Sequence, residues 1–373
     1  MPQSSLPSTR RPALLPARLA RRLHASLLAW YDRSHRDLPW RQTSDPYAVW
    51  LSEVMLQQTR VETVIPYFDR FLRELPTVLA LAEAPEEAVM RLWSGLGYYR
   101  RARLLHEGAR QIVRERQGCF PDTAARLADV PGIGRYTAGA IASIAFGERA
   151  ALVDGNVARV LARLFAVEED VRGAPGLRRI WALADTLVPG SRAGDWNQGL
   201  MELGATTCTP RAPRCPACPV RSCCEARARG LEADLPLLRP RTPPALRRQV
   251  ALVAMVSGGV VLARRQPQGL FGGLWEPPTV PDLVTEEELR EAFGALLGAP
   301  VRDLTHAGAL THVLSHRRLE TQVVLARLAR RPQSRPPAGD VYDAVRVIPS
   351  DAWADLPMSA FARKVLAQAG VVP

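Results

Sequence analysis

Four cysteines, Cys208, Cys215, Cys218 and Cys224, stand in a C-x6-C-x2-C-x5-C run. A stretch this short cannot build a core of its own, but its thiolates can surround a metal centre. Five of the six cysteines lie in this window, and Cys119 is far away. A disulfide framework belongs to small secreted chains, and this chain is long with no secretory signature. The readings left are a [4Fe–4S] cluster and a structural zinc. Zinc knuckles come as paired C-x2-C units, and only one C-x2-C is present. Iron–sulfur clusters accept less regular spacing. Cys223 beside Cys224 is the one ambiguity, and Cys224 is the favoured ligand.

The 373 residues are enough for two domains. The formal charge is +12, carried almost wholly by arginine, with Lys364 the sole lysine. Residues 1–230 hold a net +9 and the remainder +3. That asymmetry points to a polyanion, most simply nucleic acid, although arginines spread over solvated faces would give the same balance. No apolar run reaches membrane-spanning length and no signal-peptide core follows the start, so a cytoplasmic protein without a membrane partner is expected.

Residues 1–13 are rich in Pro, Ser and Arg and are expected to be disordered. From Pro16 to about Gly204 the pattern is helical. Asp45-Pro46 reads as an N-cap and first-turn proline opening a helix that carries Trp50 to Gln58. Residues 230–247, with Pro236, Pro240, Pro243 and Pro244 among arginines, read as a stiff basic linker. Beyond it Gln249–Ser257 and Gly259–Arg264 read as strands around a Gly-Gly hairpin. Helices are expected over Glu286–Leu297 and Ser359–Gln368, and strands over His312–Leu319 and Glu320–Leu328. The fold class is thus multidomain, an all-α domain followed by a small α+β domain.

Three stretches carry candidate chemistry. In the first, a helix ends at Val130, Pro131-Gly132-Ile133-Gly134 turns, and a new helix starts near Arg135. Gly132 and Gly134 let the backbone approach a ligand and permit positive φ. The free N–H groups of the new helix would face an anion such as a DNA phosphate. This is a helix-hairpin-helix, though Pro-Gly turns also join ordinary helices. In the second, Asp154-Gly155-Asn156 opens a helix, where an aspartate is normally an N-cap. In the third, Glu53 sits on an otherwise apolar helix. Either it lies on a solvent edge, or it is half-buried with a raised pKa and holds a proton for general-acid work. Two carboxylates would then have separate duties.

These residues, with Leu38–Arg41, Trp50–Thr59, Gly95–Tyr99, Val130–Thr137, Val153–Arg159, Gly273–Glu276 and Leu314–His316, resemble the adenine DNA glycosylases of the MutY type. That family lies within the helix-hairpin-helix glycosylase superfamily. The resemblance runs from about Leu14 into the C-terminal domain. It implies a helical glycosylase domain over residues 14–229 with a [4Fe–4S] cluster on Cys208, Cys215, Cys218 and Cys224. A linker over 230–247 and a Nudix-like lesion-reading domain over 248–373 follow. It implies that Glu53 protonates N7 of an extruded adenine and that Asp154 stabilises the oxocarbenium-like sugar, supported by Tyr136 and Asn156. Trp40, Arg41, Leu56 and Gln198 would line the adenine pocket. Gln58, Thr59, Tyr98, Gly132 and Gly134 would contact DNA, as would Ser315 and His316, which otherwise read as a plain polar turn. The implied partner is duplex DNA with A:8-oxoguanine or A:G mispairs, bound by a monomer.

Where the related endonuclease III type carries a Schiff-base lysine, this chain has Tyr136, so a monofunctional enzyme is implied. A glycosylase/lyase for oxidised pyrimidines fits less well. A non-catalytic DNA-binding relative would not need both Glu53 and Asp154. Two departures stand out. Leu314 replaces a common Phe before Ser-His. Arg290–Gly298 has Gly294-Ala295 where a Nudix metal box needs Glu-Glu, so pyrophosphatase activity is not expected.

Overall fold

The computed structural model describes residues 16–239, 243–282, 285–328, 330–332, 341–349, 352–353 and 356–371. The expected disorder of residues 1–13 and part of the 230–247 linker fall outside them. Contacts group the chain into two units: residues 1–83 with 107–240, and residues 84–106 with 241–373.

The first unit is helical among its described residues. It contains α1 (Ala17–Ser34), α2 (Pro46–Leu56), α3 (Val61–Glu74) and α4 (Val78–Glu83). After α5 (Glu86–Leu92), which falls in the second unit, α6 (Arg100–Arg116) runs from one grouping into the other. Then come α7 (Ala124–Leu127), α8 (Arg135–Ala145), α9 (Gly155–Leu164), α10 (Ala174–Leu187), α11 (Ala193–Thr206) and α12 (Glu225–Arg229).

Asp45 caps α2 as the sequence predicts, its side chain accepting from Tyr47 N at 3.0 Å with Pro46 in the first turn. Tyr47 to Met55 are all buried, so α2 is a central helix enclosed on every side. It ends at Leu56, two residues short of the expected Gln58, because Gln58 takes a left-handed φ of 59° that no helix continues through. Leu23 and Leu27 of α1, Val157 and Leu161 of α9, and Trp196, Leu200 and Leu203 of α11 form one core cluster. Each fully buried leucine there stabilises by roughly 1.5–3 kcal/mol.

The hairpin before α8 has the expected turn. Gly132 holds φ at 80°. Gly134 does not need its freedom, since its φ of −86° is open to any residue. Gly139 is the glycine that α8 requires for packing: a Cβ there would lie 2.0 Å from the carbonyl oxygen of Ala151.

The expected linker is partly built into the units. Leu231 and Leu235 pack with Ala166 and Ala226, and Arg163 Nε donates to the Leu235 carbonyl at 2.8 Å. Its far end belongs to β1.

The second unit carries β1 (Ala245–Val256), β2 (Gly259–Arg265), β3 (Trp275–Glu276), β4 (Thr279–Pro281), α13 (Glu286–Leu297), β5 (Val301–Val313), β6 (Arg317–Leu328), β7 (Tyr342–Ile348) and α14 (Ala360–Gln368). The sheet order is β3-β2-β1-β6-β5, with β4 also on β1 and β7 also on β2. The β1–β6 pair is parallel, with Gln249 opposite Thr321. Alternate residues of β1 face opposite cores. Val250, Leu252 and Ala254 meet α13, and Ala251 and Val253 meet α14.

One strand expectation is overturned. His312–Leu319 is not one strand but the end of β5, a reversal over residues 314–316 and the start of β6, closed by Leu314 N donating to the Arg317 carbonyl at 2.7 Å. The turn contains no Gly, Pro, Asn or Asp, which hid it in the sequence.

Candidate active site

A cavity of about 1190 Å³ opens in the first unit. Trp40, Arg41, Glu53, Leu56, Gln58, Thr59, Tyr136, Asp154, Asn156 and Gln198 all line it. Residues from five separate stretches of sequence thus meet on one surface.

Glu53 is buried at 5% exposure, which excludes the solvent-edge reading. The Tyr136 hydroxyl donates to its Oε2. Burial pushes the Glu53 carboxyl up to about 7; the Tyr136 bond and Arg41 pull it down, and Asp154 adds to the rise. Burial also drives the Tyr136 hydroxyl well above its ordinary value, helped by the Glu53 and Asp154 charges, so Tyr136 stays a donor.

Asp154 does cap α9, accepting from Val157 N at 2.7 Å through Oδ1. Its Oδ2 accepts from Asn156 Nδ2 at 2.9 Å. Burial raises its pKa, opposed by the Val157 and Asn156 hydrogen bonds. The cap therefore fixes the carboxylate at the cavity wall.

Several contributors escaped the sequence reading. Glu202 of α11 has a fully buried side chain, accepting from Arg36 Nε and Arg41 Nη2, each at 2.8 Å. Burial alone would raise its pKa, but the two arginines outweigh it and hold the carboxyl below its usual range. Arg41 lines the cavity, yet its guanidinium is committed to Glu202 and to the Arg36 carbonyl at 3.0 Å. An acid on an apolar helix, four residues from Gln198, is the same signal that singled out Glu53. Arg159 of α9 donates to Asn156 Oδ1, to the Cys208 carbonyl and to the Gly204 carbonyl, each at 2.8 Å.

Cys208, Cys215, Cys218 and Cys224 sit half-buried as free thiols. Burial raises Cys218 to about 11, and the charges of Cys208, Cys224 and Cys215 add to it. Cys224 is likewise raised by burial first, with Cys208 and Cys215 contributing. Cys208 and Cys215 thus act on both Cys218 and Cys224. Arg163 Nη1 reaches Cys208 Sγ at 3.3 Å.

Among the remaining expected DNA contacts, Gln58, Gly132 and Gly134 are exposed. Exposed Tyr98, at a left-handed φ of 47°, and exposed Ser315 and His316 lie in the second unit.

Residues 51–180 match the HhH-GPD superfamily of base excision DNA repair proteins, and residues 249–368 match the NUDIX domain. The helical hairpin, the buried acid and the capped aspartate thus belong to a base-excision glycosylase scaffold bearing a Nudix-type module. A thermostable thymine-DNA glycosylase structure is 30% identical with a TM-score of 0.52, covering 57% of this chain and 98% of that one. The adenine DNA glycosylase of Homo sapiens is 40% identical over 374 residues, covering 84% of this chain and 68% of its own length. That of Mus musculus is 40% identical over 377 residues, covering 84% and 72%. The chain belongs to the adenine DNA glycosylase family.

Proposed function

We propose that this chain removes adenine mispaired with 8-oxoguanine, and more weakly with guanine, from duplex DNA. The observation that carries the reading is the buried Glu53, bonded by Tyr136 and sharing one cavity with Asp154. A duplex shields the glycosidic bond, so adenine must be extruded into the cavity. There Trp40, Leu56 and Gln198 meet the base, and Arg41, fixed by Glu202, closes one wall.

Glu53, poised near 7, gives its proton to N7 of adenine. The C1′–N9 bond breaks with its electron pair leaving on the base. Asp154 stabilises the cationic sugar, and Asn156 and Tyr136 hold both carboxyl groups in place. Water then adds to C1′ and loses a proton. The sole lysine, Lys364, is outside the helical unit, and Tyr136 cannot form an imine, so strand scission is not part of the reaction.

The cysteine loop fits a [4Fe–4S] cluster. Cys208, Cys215, Cys218 and Cys224 are half-buried free thiols within one short loop, the donor set such a cluster takes. The four cysteines would hold the cluster, and the loop carrying Arg211, Arg214 and Arg221 would then be fixed for the DNA backbone. The second unit reads the lesion through Tyr98, Ser315 and His316.

The test is a single-turnover assay of adenine release on duplexes with A opposite 8-oxoguanine or guanine. Release on the first, faster than on the second, and lost in Glu53→Gln, is expected. No release from either duplex would overturn the reading.

A further inference from the structure

We propose that His312 and Lys364 form a phosphate site that takes the backbone of duplex DNA beside the Ser315–His316 tip. The inference rests on the glycosylase reading and adds a contact which that reading does not assign.

β5 is the edge strand of the sheet. His312 pairs with Leu319, which lies in the core under α14, so His312 shares that face with Leu310 and Leu314. Its ring lies 5.7 Å from the Phe361 ring of α14, tilted by 54°. Lys364 follows Phe361 by three residues, which puts the two side by side on the helix surface. Burial lowers the His312 pKa, and Lys364 lowers it further, so the ammonium is near the imidazole.

The acid next in register turns away. Glu320 of β6 pairs with Thr311, which points it to the opposite face, and it is held by Arg318 at 3.2 Å and Arg248 at 3.5 Å. Among the described residues neither His312 nor Lys364 makes an ion pair. Lys364 is exposed, as are His316 and Arg317 at the tip. A neutral imidazole N–H and an ammonium converging without a counter-ion suit a phosphate oxygen.

Free nucleotides prefer concave sites. Two cavities of this unit, of about 440 and 400 Å³, are lined by other residues, including Asp282 and Gln322, and by neither His312 nor Lys364. The site lies on the edge strand of the sheet, which suits a backbone phosphate delivered with the strand that the tip contacts.

Because Lys364 is the only lysine, its acylation reports on this site alone among side chains. Full-length Glu53→Gln protein is treated with an N-hydroxysuccinimide acetate, free or bound to an A:8-oxoguanine duplex, and the Lys364 peptide is quantified by mass spectrometry. Complex formation is checked in parallel by mobility shift. Duplex should protect Lys364 several-fold, while inorganic phosphate or dATP at equal phosphate concentration should not. Lys364→Gln should lower the slope of log Kd against log salt by about 0.9, the value for one phosphate contact. His312→Gln should weaken binding up to about tenfold with the slope unchanged.

Equal acylation in a complex seen by mobility shift, or an unchanged slope in Lys364→Gln, overturns the site while leaving the glycosylase reading intact. Equal protection by inorganic phosphate or dATP makes it a small-anion site and overturns the duplex assignment. Failure of the duplex to bind at all defeats the glycosylase reading first, and this inference with it.

Discussion

Arg159 donates from Nη2 to Asn156 Oδ1 at 2.8 Å while its Nε donates to the Cys208 carbonyl at the same distance. One guanidinium therefore ties the residue that steadies Asp154 to the first cysteine of the loop. Burial lowers the Arg159 pKa, and the Cys208 charge opposes that shift. Arg159→Gln keeps a donor but loses the fork. Each lost bond to or from a charged group costs about 1.5–3 kcal/mol. Adenine release should fall by roughly 10- to 100-fold in single turnover. Iron content, measured on the same sample, should fall far less. Unchanged release would mean that Asp154 is positioned by its own cap alone.

The Glu53 carboxyl gives a pH dependence with a definite sign. As the acid, Glu53 must hold its proton, so the single-turnover rate should fall as pH rises through about 7. Stability moves too. The folded pKa of about 7 lies above the ordinary 4.5, so the folded state prefers the protonated acid. Below pH 4.5 both states hold the proton and there is no penalty. The contribution is lost between that point and the folded pKa, by roughly 3 kcal/mol in all. Glu53→Gln should therefore release no adenine, yet resist urea better than the parent at pH 8. The two midpoints should converge near pH 4.5. Equal midpoints at pH 8 would show that burial does not strain this acid.

The cysteine loop predicts about four irons per chain and absorbance near 400 nm in the purified protein. Cys224→Ser should lose most of both, whereas Cys223→Ser should keep them, since the Cys208 and Cys215 charges reach the Cys224 thiol. One zinc and no iron would refute the assignment. Loss of iron in Cys223→Ser alone would exchange the fourth ligand.

Borohydride should trap little or no covalent adduct with DNA, and strand breaks should need added alkali or heat. Tyr136 offers no amine, and its hydroxyl is engaged with Glu53. Efficient trapping that persists in Lys364→Gln would point to an amine other than a lysine side chain.

The candidate catalytic set was legible because its signals are local. Asp45-Pro46 announces α2, Pro131–Gly134 announces the hairpin, and a lone acid such as Glu53 announces itself on an apolar helix. Long-range partners were not. Nothing in sequence joins Arg36 and Arg41 to Glu202, more than 160 residues away. The association of residues 84–106 with the second unit was equally hidden, since it rests on contacts such as the Tyr99 hydroxyl to the Met358 carbonyl at 2.7 Å. In the sheet, β5 escaped because register shifts at Arg302/Thr305 and His306/Gly308 break its alternation. The tip was legible as a polar turn at Ser315 and His316, but the strand drawn over His312–Leu319 ran through it because those residues continue a run that strands tolerate.

That tip carries the last prediction. Tyr98 and Ser315 share a hydrogen bond of 2.7 Å between exposed hydroxyls in the second unit. If Ser315 reads 8-oxoguanine, Tyr98 orients its hydroxyl, and the two should act as a pair. Ser315→Ala should lower the ratio of single-turnover rates on A:8-oxoguanine and A:G duplexes by up to about tenfold, the worth of one hydrogen bond. The rates are taken at subsaturating enzyme so that binding counts. Tyr98→Phe keeps the ring and removes only the hydroxyl, and should move the ratio in the same direction. The double variant should then lose less than the sum of the two, because the shared bond can be removed only once. His316→Ala should add its own loss independently. Fully additive effects of Tyr98→Phe and Ser315→Ala would show that the bond plays no part in recognition. An unchanged ratio in all three single variants would remove lesion reading from the tip.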